Sequence, residues 1–341
     1  MEKQFEESLI VGKFMPPHNG HLYLIDTALK HSKLVHLYVC YTDTEPIDGN
    51  ERYKIIREAY PSWVSKGFLK IHKVNTSDMP QYESDCETLD EFYSHWIKLV
   101  NRISPDIDSV FTSEAYGDDF GRYLGVEHYL VDQNRYKHPI SGTMVRENPL
   151  GYFKHLPDGT KELLRKRVAI LGVESTGKST LTAILAQHYR SYGLDCESQT
   201  EYGRDYVDRR EDDYVLTKED FEKIAYFHWG LSHQKEAPLV IVDTEAVVTH
   251  TFGQLYLGED FQSDAIDGII KDQKYDDYIL LDIDVPWVDD GTREFPHRRE
   301  EHFELLKNNL IKYGIEYQLV SGNYDERFEK SLKIIEKRLD T

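Results

Sequence analysis

Residues 167–180 read RVAILGVESTGKST, and the residues that follow, LTAILAQHYR, continue at helical spacing. An apolar run without polar alternation suits a strand covered on both faces by helices. Gly172, Gly177, Lys178 and Ser179 then fall at the spacing G-x-x-x-x-G-K-[ST]. Glycines let successive backbone N–H groups converge on phosphate oxygens, and a helix N-terminus adds partial positive charge. In such a loop, Glu174, Ser175, Thr176 and Thr180 surround the phosphates, Lys178 reaches the β and γ phosphates, and Ser179 ligates Mg²⁺. The pattern arises by chance in roughly one chain of this length in a hundred. Its position between a strand and a helix makes a mere glycine-rich turn less probable still.

The same grammar opens the first half. SLIVGKF (8–14) leads through MPPHNGH into LYLIDTALKH. LVHLYVCY, LKIHKV, SVFTSE and VEHYLVD read as strands after it, with helices at ERYKIIREAY and TLDEFYSHWIKLVNRI. In the second half LVIVDTE, YILLDIDV and YQLVSG read as strands, KEDFEKIAYFHWGLSHQ as a helix, and NYDERFEKSLKIIEKRLD as a closing helix. This alternation predicts an α/β chain of two doubly wound parallel-sheet domains, 1–155 and 167–341. Pro149, Gly151, Pro157 and Gly159 break the periodicity between them, which places a linker at 156–166.

A phosphate-binding loop needs a carboxylate at the end of a neighbouring strand to organise metal. Asp243, after the apolar run 239–242, meets that need. Glu201 and Asp205, in TEYGRDY, stand where a base could accept a hydroxyl proton, and Tyr202 and Arg204 lie beside them. Asp205 can equally serve as a charge at a helix N-terminus. Arg293, in WVDDGTR, can offset charge during transfer from a closing segment.

In the first half, Gly12-Lys13-Phe14-Met-Pro-Pro-His18-Asn-Gly20-His21 sets two imidazoles at a helix start, aimed at a shared anion. A zinc reading lacks a third ligand nearby. Ser141-Gly142-Thr143-Met-Val-Arg146 supplies a second helix start with a serine and an arginine.

The chain has 341 residues and a formal net charge of −20, which opposes broad nucleic-acid binding. Cys40, Cys86 and Cys196 form no CxxC pair, and no apolar run approaches a membrane span or the core of a signal peptide. The expectation is a soluble cytoplasmic protein; self-association is left open.

GKFMPPHNGH and SGTMVR together resemble the nucleotidylyltransferase superfamily, and Phe14 is the form seen in nicotinamide mononucleotide (NMN) adenylyltransferases. With LGVESTGKST, EYGRDYV, IVDTE and WVDDGTR, nearly the whole chain resembles the bifunctional NMN adenylyltransferase/ribosylnicotinamide kinases of the NadR type. The resemblance implies a chain that phosphorylates nicotinamide riboside at Lys178, Asp243, Glu201 and Arg293, with Glu201, Tyr202, Arg204 and Asp243 contacting the nucleoside. It implies that NMN is then adenylated to NAD at His18, His21, Lys13 and Arg146, with Arg52 and Trp96 contacting NMN. ATP is the co-substrate of both steps and Mg²⁺ the cofactor. No helix-turn-helix precedes the first strand, so neither a repressor role nor DNA binding is expected. Another nucleoside or phosphate acceptor remains the nearest alternative, followed by an NAD-sensing first domain.

Overall fold

The computed structural model describes residues 3–210, 214–288 and 296–339. They form two compact units, Met1–Leu164 and Arg165–Thr341.

In the first unit the strands are β1 (Phe5–Gly12), β2 (Ser32–Tyr41), β3 (Leu69–Asn75), β4 (Ser109–Thr112) and β5 (Glu127–Leu130). Its helices are α1 (Asn19–His31), α2 (Gly49–Ala59), α3 (Pro61–Ser65), α4 (Leu89–Ile103), α5 (Tyr116–Leu124), α6 (Gly142–Glu147) and α7 (Asp158–Leu164). The sheet is parallel with order β3-β2-β1-β4-β5. The chain reverses its direction of travel at β1, so a crevice opens past the C-terminal ends of β1 and β4. One core layer packs Ile10, Leu37 and Phe111 under α1, and the other packs Leu9 and Val110 against Leu99 of α4. The stretch read as a linker carries α7, which belongs to this unit. Thr160 is buried and its hydroxyl donates to the Pro17 carbonyl at 2.8 Å.

The second unit holds β6 (Lys166–Leu171), β7 (Cys196–Gln199), β8 (Leu239–Asp243), β9 (Asp277–Leu281) and β10 (Gln318–Val320). Its helices are α8 (Lys178–Ser191), α9 (Tyr202–Val207), α10 (Lys218–His233), α11 (Ala246–Leu257), α12 (Asp264–Asp272), α13 (Arg299–Lys312) and α14 (Tyr324–Leu339). The order β10-β9-β6-β8-β7 is again all parallel, with β6 central. Residues 239–243 of β8 are all buried, as an unalternating apolar run in a covered sheet requires. All three cysteines are free.

Candidate active sites

In the first unit the loop after β1 turns back under itself. Phe14 is buried at φ 50°, and its ring stands edge-on to His21 with centroids 4.9 Å apart. His18 then caps α1. Its Nδ1 accepts from the His21 backbone N–H at 3.3 Å, while the His21 Nδ1 accepts from the His18 N–H at 3.3 Å. The rings stack with centroids 3.6 Å apart. Because both Nδ1 atoms accept, each neutral ring carries its proton on Nε2, which is left free to donate. Burial pushes His18 down to about 4, with positive charge from Arg135 and His138 adding to the effect. His21 is lowered well below its usual value, first by burial and then by His18. The site therefore presents two uncharged donors at neutral pH.

Ser141 caps α6, accepting from the Met144 N–H at 3.2 Å. The Arg146 Nη1 donates to the Met15 carbonyl at 2.6 Å, which ties α6 to the histidine loop. That approach depends on Gly142, where a Cβ would sit 2.8 Å from the Met15 oxygen. Around these groups lies a cavity of about 930 Å³. Every first-unit site residue expected from the sequence lines it, Trp96 included, except Arg52.

Arg52 is fully buried behind the loop. Its Nη1 donates to the carbonyls of Lys13 (2.6 Å) and Cys40 (3.2 Å), and its Nη2 to Glu45 at 2.5 Å. Glu45 in turn pairs with Lys13 at 2.9 Å. Arg52, expected to contact NMN, stands behind the cavity and not in its wall, because it falls on the buried face of α2 with Ile55 and Ile56. The cavity wall also includes Arg135 and His138, which the sequence reading missed. They sit on an irregular loop where the Asp132 carboxylate accepts from the N–H groups of Tyr136 (2.9 Å), Lys137 (3.0 Å) and His138 (3.3 Å). The available signal was a polar turn ending in proline, DQNRYKHP, which carries no periodicity.

In the second unit β6 runs into the glycine loop. Ser175 and Gly177 adopt φ values of 58° and 85°, and α8 begins at Lys178. A Cβ at Gly177 would meet the Tyr324 ring at 2.9 Å, so the loop needs glycine there on two counts. Thr176 Oγ1 and the Lys178 Nζ both donate to the Val173 carbonyl, at 2.8 and 3.1 Å. From behind, buried Arg327 donates to the Thr176 carbonyl at 2.6 Å and pairs with Asp284.

Asp243 ends β8, fully buried, and its Oδ1 accepts from the Thr244 hydroxyl at 3.3 Å. Burial raises its carboxyl to about 6, although Lys178 draws it down. Its Oδ2 is buried without a hydrogen-bond partner. A smaller cavity of about 110 Å³ lies alongside, lined by Glu174, Lys178, Glu201 and Arg204 among others. Glu201 pairs with Arg204 at 3.3 Å. Asp205 is exposed in the first turn of α9 and does not line this cavity, nor does Tyr202, whose ring packs on Phe227. Arg293 lies outside the described residues. The cavity wall adds His228 and Thr244, which no motif announced.

Fold and sites together define a double ATP-dependent transferase, with a nucleotidylyltransferase unit and a phosphate-loop kinase unit. Residues 8–148 match the family described as citrate lyase ligase C-terminal domain, and residues 167–327 match the AAA domain family. The chain is 31% identical to the trifunctional NAD biosynthesis/regulator protein NadR of Escherichia coli, over 97% of this chain and 83% of that protein. Over 42% of the chain it is 27% identical to 75% of a nicotinamide-nucleotide adenylyltransferase from Pyrobaculum neutrophilum. A crystal structure of a NadR protein in complex with NR superposes with a TM-score of 0.66 at 21% identity, covering 100% of this chain and 97% of that one. The chain belongs to the NadR family. Among the described residues no helix is long and apolar enough to cross a membrane.

Proposed function

We propose that the chain makes NAD in two ATP-consuming steps, phosphorylating nicotinamide riboside to NMN in the second unit and adenylating NMN in the first. The observation that carries this reading is the relation to a NAD biosynthesis protein over 97% of the chain, with a cavity beside each motif.

The second cavity suits a cationic nucleoside. Nicotinamide riboside bears a pyridinium charge, and Glu174, Glu201 and Asp208 line the wall with Phe221, Phe252 and Tyr256. Lys178 and the loop N–H groups hold the ATP phosphates. Glu201 faces the cavity and takes the proton from the 5′-hydroxyl as its oxygen attacks the γ-phosphorus. Asp243 and Ser179 offer two hard oxygens that would hold Mg²⁺, one of them a buried carboxylate oxygen without a hydrogen-bond partner. When bound, Mg²⁺ neutralises charge on the β and γ phosphates. The Arg293 contribution is retained as part of this proposal from sequence.

In the first unit the NMN phosphate attacks the α-phosphorus of ATP and pyrophosphate leaves. The nucleophile is already anionic, so alignment and charge stabilisation matter more than a base. Two neutral Nε2–H donors can follow the oxygens into the transition state. Lys13, Arg135 and Arg146 bring positive charge to the leaving pyrophosphate. Trp96 offers a flat face to the pyridinium.

The test is a mass-spectrometric assay with purified chain, nicotinamide riboside and excess MgATP. NMN followed by NAD is expected. Absence of both products would overturn the nicotinamide assignment.

A further inference from the structure

His228 lies at the back of the second cavity, buried on α10, and both of its ring nitrogens are engaged with backbone. Its Nδ1 accepts from the Tyr202 N–H at 3.3 Å. Its Nε2 donates to the Thr244 carbonyl at 3.1 Å. The two bonds together require the neutral ring with its proton on Nε2, and burial favours that form.

The two partners matter because of what stands next to them. Tyr202 follows Glu201, and Thr244 follows Asp243. Thr244 adopts φ 74°, which a β-branched residue holds only when its surroundings impose it. The constraints are visible: the Thr244 N–H donates to the Ile170 carbonyl at 3.0 Å, its hydroxyl donates to Asp243 at 3.3 Å, and its carbonyl accepts from His228.

We infer that His228 is a positioning residue for phosphoryl transfer, an imidazole strut that fixes the spacing between Glu201 and Asp243 through the backbone beside each. With both ring nitrogens bonded to backbone, it offers no atom to phosphate or metal. Its work is to keep the proton acceptor and the metal carboxylate in register while the hydroxyl approaches. The inference rests on the kinase reading of this unit.

The experiment compares His228→Phe, which fills the space without either bond, with His228→Gln, which keeps a donor for the Thr244 carbonyl. Steady-state kinetics with nicotinamide riboside and MgATP are run beside wild type, with thermal unfolding of each protein. His228→Phe should lower kcat about 100-fold, the scale of an ångström of misplacement, with KM for MgATP within about twofold, since the phosphate loop makes no bond to this ring. His228→Gln should recover about tenfold of that loss. Wild-type kcat in the Phe variant, or a Gln variant no better than Phe at equal unfolding temperature, would overturn the inference. A wild-type chain that forms no NMN would instead overturn the kinase reading, and would be recognised before any variant is made.

Discussion

The two nucleotide sites occupy the same place in two similar units, yet they present phosphate with different donors. Each lies where a central parallel strand, β1 or β6, gives way to a helix. At α8 the loop supplies backbone N–H groups shaped by Ser175 and Gly177 at positive φ, plus one buried ammonium at Lys178. At α1 the first turn is capped by imidazoles, and His18 and His21 satisfy one another's backbone while leaving Nε2 free. In the proposed function the α8 loop grips a terminal phosphate that carries the most charge. The histidine cap of α1 aims side chains at an internal phosphorus, where a backbone cradle would block the incoming nucleophile. Similar topology thus leaves the choice of phosphorus to the cap residues.

The strongest way to break this comparison is to remove one donor from each site and measure both reactions. Lys178→Ala should lower NMN formation by about 10³-fold or more while leaving conversion of added NMN to NAD unchanged. His21→Ala should do the reverse, lowering NAD formation from NMN by about 10² to 10³ and sparing the kinase. Loss of both activities from either substitution would mean that the two sites do not work separately. Two separate assays on each variant, NMN formed from nicotinamide riboside and NAD formed from added NMN, read all four numbers.

The two units also differ in how their buried groups respond to acid. His18 is depressed to about 4 in the folded chain, so its contribution to stability is present above its ordinary value of 6.5 and lost as pH falls toward 4. Glu245, buried as the cap of α11, is raised by burial to about 7 from 4.5. Its contribution is present below 4.5 and lost as pH rises through 7. Glu245→Gln should therefore match wild type near pH 5 and gain up to about 3 kcal/mol by pH 8. His18→Gln should gain relative to wild type in the opposite direction, by about 3 kcal/mol as pH drops to 4. Denaturant unfolding with hydrogen exchange resolved by unit checks both. A pH-independent difference for either variant would show that the named group is not the one titrating.

How much of this was legible in the sequence follows from how local each signal is. The strands and both loops announced themselves, because apolar runs and glycine spacing are set by neighbours in the chain. The mutual cap of His18 and His21 was implicit in the same i, i+3 spacing as a capping box. α11 escaped the reading, since AVVTHTFGQLYL is buried nearly all round and shows no amphipathic stripe. Arg52 could be placed in its motif but not on a face of it. A residue type cannot show whether a guanidinium faces a cavity or the carbonyls and carboxylate behind the loop, and the inward turn of α2 decides that. His228 was invisible for a related reason: its partners are the backbone of two segments distant in sequence.

The mildest test concerns specificity in the first site alone. Trp96 lines the large cavity and stands edge-on to Phe120, with centroids 6.1 Å apart. If its indole offers a face to the pyridinium of NMN, loss of that face weakens substrate and transition state alike, because the ring is remote from the reacting phosphorus. Trp96→Ala should then raise KM for NMN about tenfold, close to 1.4 kcal/mol, and leave kcat in place. Trp96→Phe keeps a smaller aromatic face and should raise KM only about threefold. Neither change should move KM for nicotinamide riboside in the second unit, whose cavity has its own aromatic wall. A fall in kcat with KM unchanged would place Trp96 among the groups that align the reacting atoms, and the first site would then depend on more than its histidine cap for geometry.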